Sequence, residues 1–211
     1  MMKKNGFTLA EVLITLAIIG VVATLTLPSL MTNTAEQQSI TAFKKIMNTL
    51  NEAGQMNAAL EGFDYSVEDM GTLDDKIEDG DQTLGALLNE RLQVSRNASG
   101  GYGNSGECQG DETFVLRDGT AVCLTDDYNE AGYWNIYVDT NGPKGPNLVS
   151  ECSEEGCTTK SSRLIKDQFP VTLSRGVAVP GHWTDNETEG TSHADYAARY
   201  AMGIGRRADS N

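Results

Sequence analysis

Basic residues are scarce in this chain: 16 Lys and Arg stand against 30 Asp and Glu, giving a formal net charge of −14. A surface of that sign repels nucleic acid as a whole, because duplex affinity rests on Lys and Arg neutralising phosphates. Only a local gathering of Arg175, Arg206 and Arg207 would change this, so no nucleic-acid partner is expected. Histidine is scarcer still. His182 and His193 are the only two, set in a Gly- and Thr-rich segment, and no GxSxG, HExxH or P-loop string accompanies them. His193 with Asp195 is the nearest approach to a catalytic pair, and isolated pairs of this kind arise by chance, so no enzyme activity is expected. There is no C-x-x-C pair to favour zinc.

What is abundant is apolar sequence near the N-terminus. Phe7 to Met31 holds a single charge, Glu11, and is long enough to cross a hydrocarbon core of about 30 Å as a helix rising about 1.5 Å per residue. Lys3 and Lys4 precede this run and the next charge after Glu11 is Glu36, so the positive-inside bias puts the N-terminus in the cytoplasm and the bulk of the chain outside. A secretory signal is the alternative. Its apolar region would be about 7 to 15 residues followed by an A-x-A-like site; this run is longer, contains a carboxylate and has no such site after it.

The string KKNGFTLAEVLITLAIIGVVATLTLPSL resembles the leader and N-terminal helix of type IV pilins and type II secretion pseudopilins. The likeness lies in the basic residues, the Gly before a Phe, the Glu five residues into the chain that starts at that Phe, and the apolar helix after it. It covers only Lys3 to about Leu30. The resemblance implies a leader of residues 1–6, cut by a prepilin peptidase between Gly6 and Phe7, with methylation of the new amine on Phe7. Loss of Lys3 and Lys4 would take the net charge from −14 to −16. It further implies a filament-core role for Phe7, Glu11 and Pro28, with Glu11 meeting the Phe7 amine of a neighbouring subunit. The implied partners are homologous pilin subunits, prepilin peptidase, an inner-membrane assembly platform and membrane lipid. The implied location is a single pass of the inner membrane, then an extracytoplasmic filament. The alternative role is a minor, tip-located pilin or a membrane-anchored adhesion domain.

Physical chemistry supports attention to the same residues. A carboxylate on a membrane helix costs about 2.5 to 3.5 kcal/mol at the centre and less near an end, so it needs a partner or must snorkel to the interface. Pro28 cannot donate to the Thr24 carbonyl and Gly20 costs about 1 kcal/mol relative to Ala, which builds weak points into the helix.

Beyond the membrane run (7–31), residues 32–60 read as an amphipathic continuation. Ile40, Phe43, Met47 and Leu50 recur at helical spacing and should meet a sheet, with Glu36, Gln37, Lys44, Lys45 and Glu52 opposite. The remainder, 61–211, is expected to be one globular domain. Its first part, 61–110, reads as a connecting region, acidic to Asp81, with a short helix around Thr83 to Leu92 and then the loop SRNASGGYGNSG. Residues 111–211 hold the sheet. TFVLRDGTAVCLT reads as two strands joined at Asp118 and Gly119, YWNIYVD as a third and VTLSRGVAV as a weaker fourth. The expected class is α+β, one long N-terminal helix packed on a small antiparallel sheet.

Four cysteines, Cys108, Cys123, Cys152 and Cys157, lie on the outward part, where an even count favours disulfides; three pairings exist, and Cys108 with Cys123 and Cys152 with Cys157 is the parsimonious one. No motif requires a cofactor. Asp139 and Asn141, on alternate residues before Gly142, suit a hard cation such as calcium, although Asn-Gly beside prolines is equally a plain turn.

Overall fold

The computed structural model describes residues 8–98, 101, 108, 112–129, 132–145, 147–152, 165–182 and 192–204, with the backbone alone at 28–33, 126 and 127. Contacts divide the chain into two compact units, Met1–Gln38 and Ser39–Asn211. Helix α1, Leu9–Leu60, is assigned through both, and it continues through Pro28.

In the second unit the stripe Ile40, Phe43, Met47 and Leu50 is buried, joined by Ile46 and Ala53. Phe43 stacks on Phe169 with ring centroids 4.3 Å apart. Full burial of side chains of this size contributes roughly 1.5–3 kcal/mol each, which is why this part of α1 is bound to the sheet rather than held by propensity alone. Lys44, Lys45 and Glu52 are exposed, whereas Glu36, expected with them on a solvated or subunit-facing surface, is buried.

The sheet is a six-stranded antiparallel meander in chain order: β1 (Val94–Ala98), β2 (Glu112–Leu116), β3 (Ala121–Asn129), β4 (Tyr133–Asp139), β5 (Gln168–Ser174) and β6 (Val177–Pro180). Phe114, Val122, Leu124, Trp134, Ile136, Val138, Phe169, Val171 and Leu173 alternate along β2 to β5 and form one core with α1. The architecture is α+β and pilin-like in its elements.

Three features differ from the sequence-based expectation. VTLSRGVAV is two strands, β5 and β6, turning at Arg175 and Gly176, which both take positive φ (46° and 75°). A two-residue turn with both central residues left-handed matches the twist of a hairpin, but Arg is an unusual occupant and hid the signal. SRNA belongs to β1 rather than to a loop. Residues after α1 supply core as well as connection: Tyr65, Leu73, Leu84, Leu87, Leu88 and Leu92 are buried in it, with helix α2 (Leu84–Arg91) capped by Thr83, whose side chain accepts from the Ala86 amide. A third helix, α3 (His193–Met202), opens on a capping box formed by Ser192 and Asp195.

Candidate functional site

The N-terminal helix carries the features that set this chain apart. Leu9–Leu27 has a mean hydropathy of 2.3 and none of it is buried. Leu9, Leu13, Ile14, Leu16, Ile18 and Ile19 are each at least 58% exposed, far more contiguous apolar surface than a soluble monomer leaves in water. The polar side chains of this stretch are satisfied within the helix. Thr15 Oγ1 donates to the Val12 carbonyl at 2.9 Å, Thr24 Oγ1 to Gly20 at 2.7 Å and Thr26 Oγ1 to Val22 at 3.0 Å, so each hydroxyl can enter hydrocarbon without a water partner.

Glu11 lies in the first turn. The Thr8 amide and hydroxyl donate to Glu11 Oε2 at 2.8 and 2.9 Å, and the Glu11 amide donates to Thr8 Oγ1 at 3.3 Å. This reciprocal arrangement is a capping box. It satisfies amides that have no partner inside the helix and places negative charge at the positive end of the helix dipole. The carboxylate is therefore held at the end of the apolar run, where its cost in a membrane is lowest. Gly6 and Phe7 lie outside the described residues, and at Pro28 only the backbone is described.

The cysteines lie in the second unit. Cys108 and Cys123 are bonded to each other, which ties the segment before β2 to β3. Cys152 is also disulfide-bonded; Cys157 lies outside the described residues.

Asp139 and Asn141 meet a residue that sequence reasoning missed, Asp167. Asp139 is fully buried, with Oδ1 accepting from the Asn141 amide at 3.0 Å and Oδ2 from Gln168 Nε2 at 3.0 Å. Asp167 accepts from the Asn147 and Leu148 amides at 2.8 and 2.9 Å and from Asn141 Nδ2 at 3.2 Å. The carboxylates thus serve as hubs for N–H donors that hold the turn to β5. Among the described residues no group of three or more His, Cys, Asp or Glu side chains is placed to hold a metal ion.

The histidines are not paired with an acid through their rings in any described contact. Asp195 accepts from the amide and hydroxyl of Ser192 and from the His182 amide at 2.8 Å, while the His182 ring meets the Ile136 carbonyl at 2.9 Å.

Hydropathy alone would suit a secretory signal as well as an anchor. What decides between them is that residues 1–27 match the family of the prokaryotic N-terminal methylation motif, the hallmark of the prepilin-type signal of type IV pilins and pseudopilins. The chain carries a prepilin-type N-terminus. The match spans the capping box and the exposed apolar run, and it fits a single-pass membrane-anchored protein of pilin or pseudopilin type. No curated protein and no solved structure matches the chain.

Proposed function

We propose that the chain is a structural subunit of a type IV pilus-like or type II secretion pseudopilus-like filament, made as a prepilin and assembled through its N-terminal helix. The observation that carries this reading is the methylation motif at residues 1–27, joined to an apolar helix that leaves its large side chains uncovered. In this reading residues 1–6 are the leader, 7–31 the membrane and filament-core segment, 32–60 its amphipathic continuation and 61–211 the extracytoplasmic domain.

Prepilin peptidase cuts between Gly6 and Phe7, which leaves Phe7 with a free amine directly before Thr8. The Thr8–Glu11 capping box keeps Glu11 hydrogen-bonded while the subunit waits in the bilayer. On assembly the carboxylate exchanges those neutral donors for the ammonium of the next subunit's Phe7, whose opposite charge compensates it where the surroundings are apolar. The apolar side chains then pass from lipid to other helices, with homologous subunits and an inner-membrane assembly platform as partners. Calcium at Asp139 and Asn141 has no part in the proposal.

Intact-mass analysis of the membrane-extracted protein tests the reading. The expected species begins at Phe7 and carries one added methyl group; a chain that retains residues 1–6, or one cut well beyond Pro28, overturns it.

A further inference from the structure

In a chain of net charge −14, an unpaired pair of arginines stands out. Arg96 and Arg117 line one open cleft of about 540 Å³ with Asn89, Gln93, Ser95 and Asn97, and among the described residues no Asp or Glu lines it. Arg96 sits opposite Val115 in the β1–β2 register, and the Arg117 amide continues the pairing by donating to the Gln93 carbonyl at 2.9 Å. Phe114 and Leu116 belong to the core, so alternation sends Arg96 and Arg117 to the opposite face as diagonal cross-strand neighbours.

Among the described residues neither guanidinium makes an ion pair. The nearby acids are engaged elsewhere: Asp118 with Lys45 at 2.6 Å and Asp75 with Thr72 and Thr83. The cleft's other polar side chains point their donors inward, Asn89 Nδ2 to the Asp75 carbonyl, Ser95 Oγ to Val115 and Asn97 Nδ2 to Leu73. The two guanidinium groups are the charged donors left for a ligand, beside the Gln93 amide, and their fork geometry selects a carboxylate.

We propose that this cleft docks the acidic knob of a second copy of the chain, Glu78 and Asp79. That knob is a 3-10 turn, Ile77–Asp79, closed by Gly80 at φ 89°, with both acids exposed. Glu78 has only a solvent-exposed contact with Lys76 at 3.6 Å. The knob is fixed on its own helix, since the Ile77 amide donates to Glu90 Oε1 at 3.1 Å, and it makes no ion pair with its own Arg96 or Arg117. The contact proposed is therefore one with a different copy. The inference rests on the filament reading for bringing copies together, but not on the helix contact that builds the filament.

The test is a charge-swap cycle on the full disulfide-intact chain in detergent micelles, carrying Glu11→Ala so that the Glu11 contact is removed. Self-association is followed by analytical ultracentrifugation at low salt. Arg96→Glu/Arg117→Glu and Glu78→Arg/Asp79→Arg should each raise the self-association Kd by about tenfold or more, and combining them should return it toward the starting value. Arg96→Gln/Arg117→Gln, which keeps side-chain size without reversing charge, should weaken association less than the reversal. Raising salt to about 0.5 M should reproduce the loss. No self-association of the starting chain, no effect of either reversal, or no recovery in the combination overturns the proposal. Separate electron microscopy of the chain with Glu11 intact reports on the filament itself, so the two readings fail independently.

Discussion

At Gly54 the backbone of α1 comes within van der Waals reach of the β5–β6 turn. A Cβ there would lie 2.6 Å from the Gly176 carbonyl oxygen and 2.6 Å from Tyr65 Cε2. Neither neighbour yields easily. Gly176 holds a left-handed turn (φ 75°), and the buried Tyr65 is anchored by donating its hydroxyl to the Leu50 carbonyl at 2.7 Å. Burial also drives the Tyr65 phenol well above its ordinary pKa, so it remains a donor at any working pH. Gly to Ala in a helix normally gains about 1 kcal/mol, but overpacking costs about 1–3 kcal/mol. Gly54→Ala is therefore expected to destabilise the second unit by up to about 2 kcal/mol net, read from the urea midpoint.

Elements are fastened to one another by a few polar or covalent ties. The Cys108–Cys123 bond closes a separation of 15 residues, and a loop of that size contributes about 3 kcal/mol. Cys108→Ser with Cys123→Ser should lower stability by about that amount, measured by chemical unfolding against the oxidised chain. Lys45 ties α1 to the β2–β3 turn through Asp118 at 2.6 Å, and Asp75 fastens the approach to α2 through Thr72 and Thr83. Partial burial pushes the Asp118 carboxyl up, but hydrogen bonds from Lys45 and Thr120 outweigh it and leave it below its ordinary value. Hydrogen bonds from the Thr72 hydroxyl and amide lower Asp75. Both groups then bind protons more weakly folded than unfolded. Their contribution is complete above about pH 4, the unfolded value, and is lost as pH falls through the lower folded values. Asp118→Asn should flatten part of that acid loss in urea midpoints taken between neutral pH and about pH 2.5.

For the whole molecule, the two units face different solvents. The second unit buries its apolar residues internally, whereas Leu9–Leu27 buries none and must find lipid or other helices. If Glu11 recognises the Phe7 amine of the next subunit, Glu11→Ala should abolish filaments seen by electron microscopy while leaving cleavage at Gly6 intact. A Glu11→Ala chain that still forms regular filaments would remove Glu11 from the assembly contact.

The signals legible in sequence were those that act over short distance. A charge-poor run and strand alternation are local properties, so the apolar helix, its stripe Ile40 to Leu50, β4 and a hairpin through Asp118 and Gly119 could all be read from the string, although that hairpin turns on three residues, 117–119, rather than the two expected, with positive φ at Gly119 and not at Asp118. The capping box at Ser192 and Asp195 was equally local and could have revealed α3. Tertiary structure decided what depends on residues far apart in the chain. It brought Asp167 to Asp139 and Asn141 and made β1 from a segment whose composition favours a loop, because pairing with β2 supplies the hydrogen bonds that propensity does not. It also placed Arg96 beside Arg117. Sequence fixes which side chains exist and their local preferences; which charges end up adjacent, and which acids are already engaged, is settled only when the strands pair.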